Sequence, residues 1–276
     1  MNQIKSILIT GCSTGIGFDA AVTLKDQGFD VYATARQAQD VERLRQLGLK
    51  AKLLDLTDEQ TIRITLMWVL EQTGGTLHAL FNNGAFGQPG AIEDLPTTAL
   101  REQFETNLFG WHELTQQVLP IMRKQGFGRI IQCSSVLGLV AMPFRGAYNA
   151  SKFALEGYTD TLRLELVDTK IQVSLIEPGP IATQFRANAL EKFRQYIDID
   201  HSNYKALYQP QIDRLASRKT STSFTLPSSA VTKKLLHALT AKQAKRRYYV
   251  TVPTYMMAWF KRLLPSGWLD KILLKG

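Results

Sequence analysis

Short apolar runs alternate along this chain with longer stretches whose apolar positions recur at helical spacing. The runs are Ile4 to Thr10, Asp30 to Ala35, Lys50 to Asp55, Ala79 to Asn82, Gly128 to Ser134, Ile171 to Glu177 and Arg247 to Val252. Several are continuous rather than alternating, as in strands buried on both faces. Between them the periodicity predicts helices over Gly15 to Gln27, Asp58 to Thr73, Arg101 to Arg123, Ala147 to Val167 and Ser228 to Ala241. Thr57 followed by Gln60 reads as a capping box opening the second of these. Strands alternating with helices predict an α/β fold: a doubly wound parallel sheet of about seven strands, with right-handed crossovers and helices on both faces. No linker, repeat or low-complexity tract interrupts residues 1–276, so they read as one domain.

Two stretches depart from that rhythm. Gln184 to Leu226 follows a strand carboxyl end, where such sheets bind ligands, and carries Phe185, Leu190, Phe193, Tyr196, Tyr204, Leu207 and Tyr208. It reads as a lid over a substrate. The tail, about 255–276, mixes Trp259, Phe260 and Trp268 with Lys261, Arg262 and leucines. Such a segment suits a membrane interface, and it equally suits capping the domain or sealing a neighbouring subunit.

Composition narrows the function classes. With 45% hydrophobic residues the chain buries a substantial core and is not a disordered protein. A formal charge of +9 suggests nucleic acid, an anionic membrane surface or an anionic cofactor. The basic residues are dispersed apart from Lys242, Lys245, Arg246, Arg247 and the tail, and no nucleic-acid-binding motif is present, so nucleic acid is not expected as a partner. Cys12 and Cys133 form no disulfide framework and read as buried thiols in a reducing cytoplasm, the expected location. The four histidines stand apart from one another, and no metal is expected. The N-terminal apolar run is too short for a signal peptide, and no run of apolar residues is long enough to span a bilayer.

Thr10-Gly11-Cys12-Ser13-Thr14-Gly15-Ile16-Gly17 follows the first run and opens the first helix. Glycines there allow a tight turn and let a pyrophosphate approach the helix N-terminus, where free N–H groups and the dipole meet its charge. The second strand ends in Ala35-Arg36. A carboxylate at that place would bind ribose hydroxyls; an arginine can instead hold a 2′-phosphate, with the Ser13 hydroxyl beside it. That favours NADP(H), against the alternative of a solvated arginine at a helix start. Asp55, at the third strand's carboxyl edge, can accept from an adenine amino group or serve only as a turn residue.

Tyr148 and Lys152 lie four apart at the start of a long helical pattern and so project from one face. An ammonium near a phenol favours the phenolate and lowers its pKa toward neutrality, as a proton donor to a carbonyl oxygen requires. Ser135, just past the fifth strand, is placed to hydrogen-bond a substrate oxygen. Asn107 is a polar residue among apolar neighbours, either satisfied in the core or holding a water that links Lys152 to solvent.

Taken together these motifs resemble the short-chain dehydrogenase/reductase family in its single-domain, Rossmann-like form. The Gly-rich loop, Asp55, Asn82-Asn83, Asn107, Ser135, Tyr148, Lys152 and Pro178-Gly179 follow the family's order and spacing, closely over about the first 185 residues. Within the family the chain resembles the branch of 17-beta-hydroxysteroid and retinol dehydrogenases and bacterial NADP-dependent aldehyde reductases. The resemblance implies that Tyr148 exchanges the proton, Lys152 lowers its pKa and binds the nicotinamide ribose, Ser135 polarises the substrate oxygen and Asn107 holds a relay water. It further implies that Thr14, Gly15, Ile16 and Gly17 join Gly11 and Ser13 at the phosphates, and that Asn83 contacts the adenosine-side ribose. Pro178, Gly179, Ile181 and Thr183 would cover the nicotinamide. It also implies a homodimer or homotetramer built on the two long helices. One departure is visible: the family's Asn-Asn-Ala-Gly stands here as Asn82-Asn83-Gly84-Ala85, putting an alanine where positive φ would cost about 1 kcal/mol.

The expected activity is oxidoreduction of a lipophilic alcohol and its aldehyde or ketone, rather than a sugar or a charged acid. Met142, Pro143 and Phe144 point the same way as the lid, against the alternative that all these side chains only pack the lid or a subunit contact. Two other readings stand beside it: a catalytically silent NADP(H)-binding sensor or scaffold, and a sugar-nucleotide epimerase or dehydratase. The intact Ser135, Tyr148 and Lys152 argue against the first and the chain's length against the second.

Overall fold

The computed structural model describes residues 5–217 and 223–274. Ile4 of the first predicted strand, residues 218–222 of the predicted lid and residues 275–276 of the tail lie outside them. Seven strands form one sheet: β1 (Ser6–Ile9), β2 (Asp30–Ala35), β3 (Lys50–Leu53), β4 (Ala79–Asn82), β5 (Gly128–Cys133), β6 (Ile171–Glu177) and β7 (Arg247–Tyr249). Their order is β3-β2-β1-β4-β5-β6-β7 and every pairing is parallel. The chain winds from β1 outward through β2 and β3, then crosses back to β4 and runs the other way. The crevice of such a sheet opens at this reversal, outside the strands' carboxyl ends.

Central strands are sheathed on both faces. β1 and β4 are buried along their whole length, whereas the edge strand β3 exposes its ends. The helices are α1 (Gly15–Asp26), α2 (Ala38–Gln46), α3 (Glu59–Thr73), α4 (Thr97–Phe104), α5 (Gly110–Gln125), α6 (Gly146–Glu165), α7 (Phe185–Tyr196), α8 (Lys205–Ala216), α9 (Ser229–Thr240), α10 (Val252–Leu263) and α11 (Ser266–Leu273). α1 packs on α9 across one face, and α3 on α5 across the other.

Three expectations change. The N-cap of α3 is Asp58, whose carboxylate accepts from the Gln60 and Thr61 amides; Thr57 instead gives its amide and hydroxyl to Asp55. The helix predicted over Arg101 to Arg123 is two helices, α4 and α5, joined by a π-helical turn over Glu105–Phe109. There Asn107 ties the turn to a neighbouring loop: its Oδ1 accepts from Phe86 N (3.1 Å), and its Nδ2 donates to Phe86 O (3.0 Å). Extra residues of this kind recur at functional sites in helices. α2 escapes the apolar pattern because only Val41 and Leu44 of its residues are buried.

Candidate active site

The loop leaving β1 is built on close backbone approach. Gly11 and Gly15 adopt φ of +70° and +61°, the left-handed region. A Cβ on Gly11 would lie 2.5 Å from Gly84 Cα, and one on Gly17 would lie 2.3 Å from Gly11 O. Thr10 Oγ1 accepts from the amides of Asn83 and Gly84, both at 2.9 Å, while Asn83 Nδ2 donates to Thr10 O (3.0 Å) and Gly11 O (3.2 Å). Thr14 caps α1 by position only, since its side chain makes no cap hydrogen bond. The first amides of α1 therefore keep their donors for a ligand, and with the dipole they fit the pyrophosphate of a dinucleotide. A Cβ on Gly15 would meet Thr183 Cγ2 at 3.0 Å, so the segment after β6 closes directly over this turn.

A cavity of about 360 Å³ runs from this loop to the segment Gln184 to Leu226. Its walls include Gly11, Ser13, Thr14, Gly15, Ile16 and Asn83 on one side, and Pro178, Gly179, Ile181 and Thr183 on the other. Ser135, Tyr148 and Lys152 line it between them. Gly17, Arg36, Asp55 and Asn107 do not. Gly17 serves the packing of the turn. Arg36 is exposed at the end of β2, and Asp55 spends one carboxylate oxygen on Thr57, 2.9 Å from its amide and 2.8 Å from its hydroxyl. Asn107 is fully buried, bound to Phe86 and, through Nδ2, to Ser151 Oγ at 3.3 Å.

Ser135 and Tyr148 come from a strand end and a helix start, brought together by packing of α6 on the turn at Val136–Gly138. Lys152 is buried, and its Nζ donates to Cys133 O at 2.8 Å, lying 4.4 Å from the Trp111 ring centroid and 5.7 Å from that of Tyr148. Burial pulls its amine down to about 8, against the opposing influence of Cys133 and Glu156. Burial pushes the Tyr148 phenol up, with the Ser135 hydroxyl acting in the opposite direction. The lowered phenol expected from a neighbouring ammonium is thus not what the protein groups alone produce: desolvation outweighs them. Both thiols are free and buried, and burial raises Cys12 to about 12 and Cys133 to about 11. Among the described residues no group of three or more His, Cys, Asp or Glu is placed to hold a metal ion.

The order Gly84-Ala85 carries no strain. Neither residue has positive φ, and a Cβ at 84 would come within 3.1 Å of Leu56 Cδ1 and 3.2 Å of Gly11 N. The glycine stands where backbones touch, and the alanine where no positive φ is required.

The lid aromatics also divide. Phe193 and Tyr208 are buried with Ile197 and Ala91 in a cluster of their own, with Phe144 and Tyr204 against it. Phe185 alone of the lid aromatics lines the cavity, its ring edge-on to Tyr148 at 5.3 Å. Four arginines at the site were not anticipated. Arg43, on the unforeseen helix α2, donates to Ser13 O and pairs with Asp40 at 2.9 Å. Arg145, Arg186 and Arg214 line the cavity at its lid end. None of the three stands out in the sequence; Arg145 lies outside the helical pattern that carries Tyr148, as the N-cap of α6.

A family model described as short chain dehydrogenase matches residues 5–193. The chain belongs to the short-chain dehydrogenase/reductase family. As a family member it is an oxidoreductase of the class that binds a nicotinamide cofactor and acts on small molecules. It is 42% identical over 269 residues to the uncharacterized oxidoreductase YbbO of Escherichia coli K12, covering 98% of this chain and 94% of that one. Retinol dehydrogenase 8 of Bos taurus is 35% identical over 201 residues, covering 68% of this chain and 62% of the relative. A short-chain dehydrogenase/reductase from Burkholderia phymatum, solved in complex with NAD, superposes with a TM-score of 0.77 at 25% identity, covering 95% of this chain and 94% of that one.

Proposed function

We propose that the chain is an NADP(H)-dependent oxidoreductase interconverting a lipophilic alcohol and its aldehyde or ketone. One observation carries the reading: Ser135, Tyr148 and Lys152 share a single cavity with the uncapped start of α1 and the segment from Pro178 to Thr183. Bound NADPH supplies a hydride to the carbonyl carbon. Tyr148 gives the substrate oxygen its proton, and Ser135 donates a hydrogen bond to the same oxygen as charge gathers on it. Lys152 brings positive charge near the phenol, offsetting the burial that disfavours phenolate, and holds the nicotinamide ribose. Asn107 serves the relay between Lys152 and solvent through a water.

Arg36 and Ser13 favour the 2′-phosphate, and Arg43, held against the Ser13 carbonyl, adds a second cation to that corner. Asp55 and Asn83 take the adenine and its ribose. Met142, Phe185, Leu137 and Leu215 supply the apolar wall that suits a lipophilic substrate. The assembly proposed is a homodimer or homotetramer through α5 and α6; Phe109, just before α5, and Leu164, within α6, are exposed. The tail is proposed to touch a membrane peripherally; no described helix is long and apolar enough to cross one.

NADPH oxidation across medium-chain aldehydes, retinaldehyde, steroid ketones, sugars and keto acids tests the reading. Turnover of the lipophilic set, lost in Tyr148→Phe with NADPH binding kept, is expected. Binding without turnover on any carbonyl would return the chain to the sensor or scaffold reading, and activity confined to sugars would end the lipophilic one.

A further inference from the structure

The lid end of the cavity concentrates positive charge on three elements. Arg145 immediately precedes α6, Arg186 lies in the first turn of α7, and Arg214 near the end of α8. All three line the cavity that holds Ser135 and Tyr148. Arg145 is held in place by neutral groups: its Nη1 donates to Phe144 O at 3.0 Å and its Nη2 to Gln211 Oε1 at 3.4 Å. Phe144 adopts φ of +59°, among the described residues the one non-glycine with positive φ, and its carbonyl also accepts from Gly90 N at 3.1 Å. A strained backbone therefore fixes the residue that carries the guanidinium.

Burial first, and the charges of Arg214 and Arg186 after it, pull the Arg145 guanidinium down to about 10. Arg186 is likewise pulled down by burial and by Arg214. Like charges gathered in a partly desolvated cleft are unfavourable unless an anion joins them. Guanidinium forks match the planar oxygens of carboxylates and the oxygens of phosphates.

We infer that the substrate is amphiphilic: a carbonyl compound whose apolar body lies against Met142, Phe185 and Leu215, and whose anionic group, carboxylate or phosphate monoester, is clasped by Arg145 and Arg214, with the charge of Arg186 nearby. The inference rests on the oxidoreductase reading and revises its expectation that charged acids are excluded.

Three aldehydes of equal chain length decide it: one ending in a carboxylate, its methyl ester, and one ending in a phosphate monoester. The anionic compounds are expected to exceed the ester at least about tenfold in kcat/KM, an advantage that shrinks as salt rises. Arg145→Met and Arg214→Met are each expected to cut that advantage about tenfold. Arg214→Met serves if Arg145→Met fails to fold. Which anion wins separates the two sources. Calorimetric titration of a long-chain fatty acid against the matching alcohol, with NADPH present, reads the same site without turnover. Ester and acid used equally, or a preference that survives both substitutions, overturns the inference. So does a loss confined to NADPH affinity, which would assign the arginines to the dinucleotide. If no aldehyde is reduced, the carbonyl reading fails by itself, and equal affinity for fatty acid and alcohol would overturn the anion site independently.

Discussion

Lys152 Nζ donates to the Cys133 carbonyl oxygen across 2.8 Å, anchoring the helix that carries Tyr148 to the end of β5. The amine is thereby fixed in place while burial holds it near 8, so it loses its proton as pH rises through about 8. In NADPH-dependent carbonyl reduction, kcat/KM is therefore expected to fall above about pH 8. Lys152→Arg, which keeps its charge, should carry the falling limb upward. A wild-type profile flat through the alkaline range would contradict this role. Tyr148→Phe should cost roughly a hundredfold to ten-thousandfold in kcat.

Arg43 reaches the Ser13 carbonyl from α2, and Arg36 stands exposed just past the end of β2. Removing a charged donor from a phosphate costs about 1.5–3 kcal/mol, roughly tenfold to a hundredfold in affinity. Arg36→Ala is expected to lower the ratio of kcat/KM for NADPH over NADH by about that factor. Arg43→Ala should lower it less, because that side chain is also engaged by Asp40 and Ser13. Equal use of NADPH and NADH by the wild type would refute the assignment.

Exchanging Gly84 and Ala85 to restore the commoner order should be harmful. The new methyl would press on Gly11 and Leu56, a crowding worth about 1–3 kcal/mol. A melting temperature lower than wild type, together with weaker NADPH binding, is the expected result. A stabilised protein would show that the backbone contact is not limiting.

Arg247 clasps three carboxylates: Nη1 reaches Glu177 Oε1 at 2.8 Å and also contacts Glu156, while Nη2 reaches Asp160 at 2.7 Å. Glu177 is pushed up by burial first and by Glu156 second, so the fold favours its protonated form. A carboxyl with a raised folded value contributes stability at low pH that is lost as pH rises. Stability is therefore expected to decline between about 4.5, the ordinary value, and about 8. Denaturant melts across that window should show the slope in the wild type and a shallower one in Glu177→Gln. Identical slopes would place the pH dependence elsewhere.

On α10 and α11, Trp259 is 64% exposed and Trp268 67%, beside Lys261, Arg262 and Lys271. Co-sedimentation with vesicles containing anionic lipid is expected for the full chain, and its loss after Trp259→Ser/Trp268→Ser. Failure of the full chain to pellet would remove membrane contact from the proposal.

Much of the architecture could be read from the chain because the sheet is parallel and doubly covered. β4 and β6 occur where their apolar runs predict them, to the residue, because runs this short and continuous suit strands buried on both faces better than helices. The π-turn was illegible: helical periodicity continues through Glu105–Phe109, and only the bond from Asn107 to a distant loop betrays it. At the site, residues fixed by local turns, such as Gly11 and Gly15, were legible. The lid arginines were not, because Arg145, Arg186 and Arg214 meet only after three separate elements fold against each other. The lid aromatics misled for a related reason: a run of large apolar side chains signals burial without saying which of two adjacent hollows is filled.

The reversal of winding between β1 and β4 separates two kinds of selection. Residues that hold the sheet, among them Ile7, Leu8 and Phe81, face neighbours on every side and have little room to vary. The guanidiniums at the lid end hang from segments beyond the strand tips, where replacement disturbs no strand pairing. A lineage carrying this scaffold can retune the molecules it accepts by exchanging a few peripheral side chains, while the interior that makes it fold stays as it is.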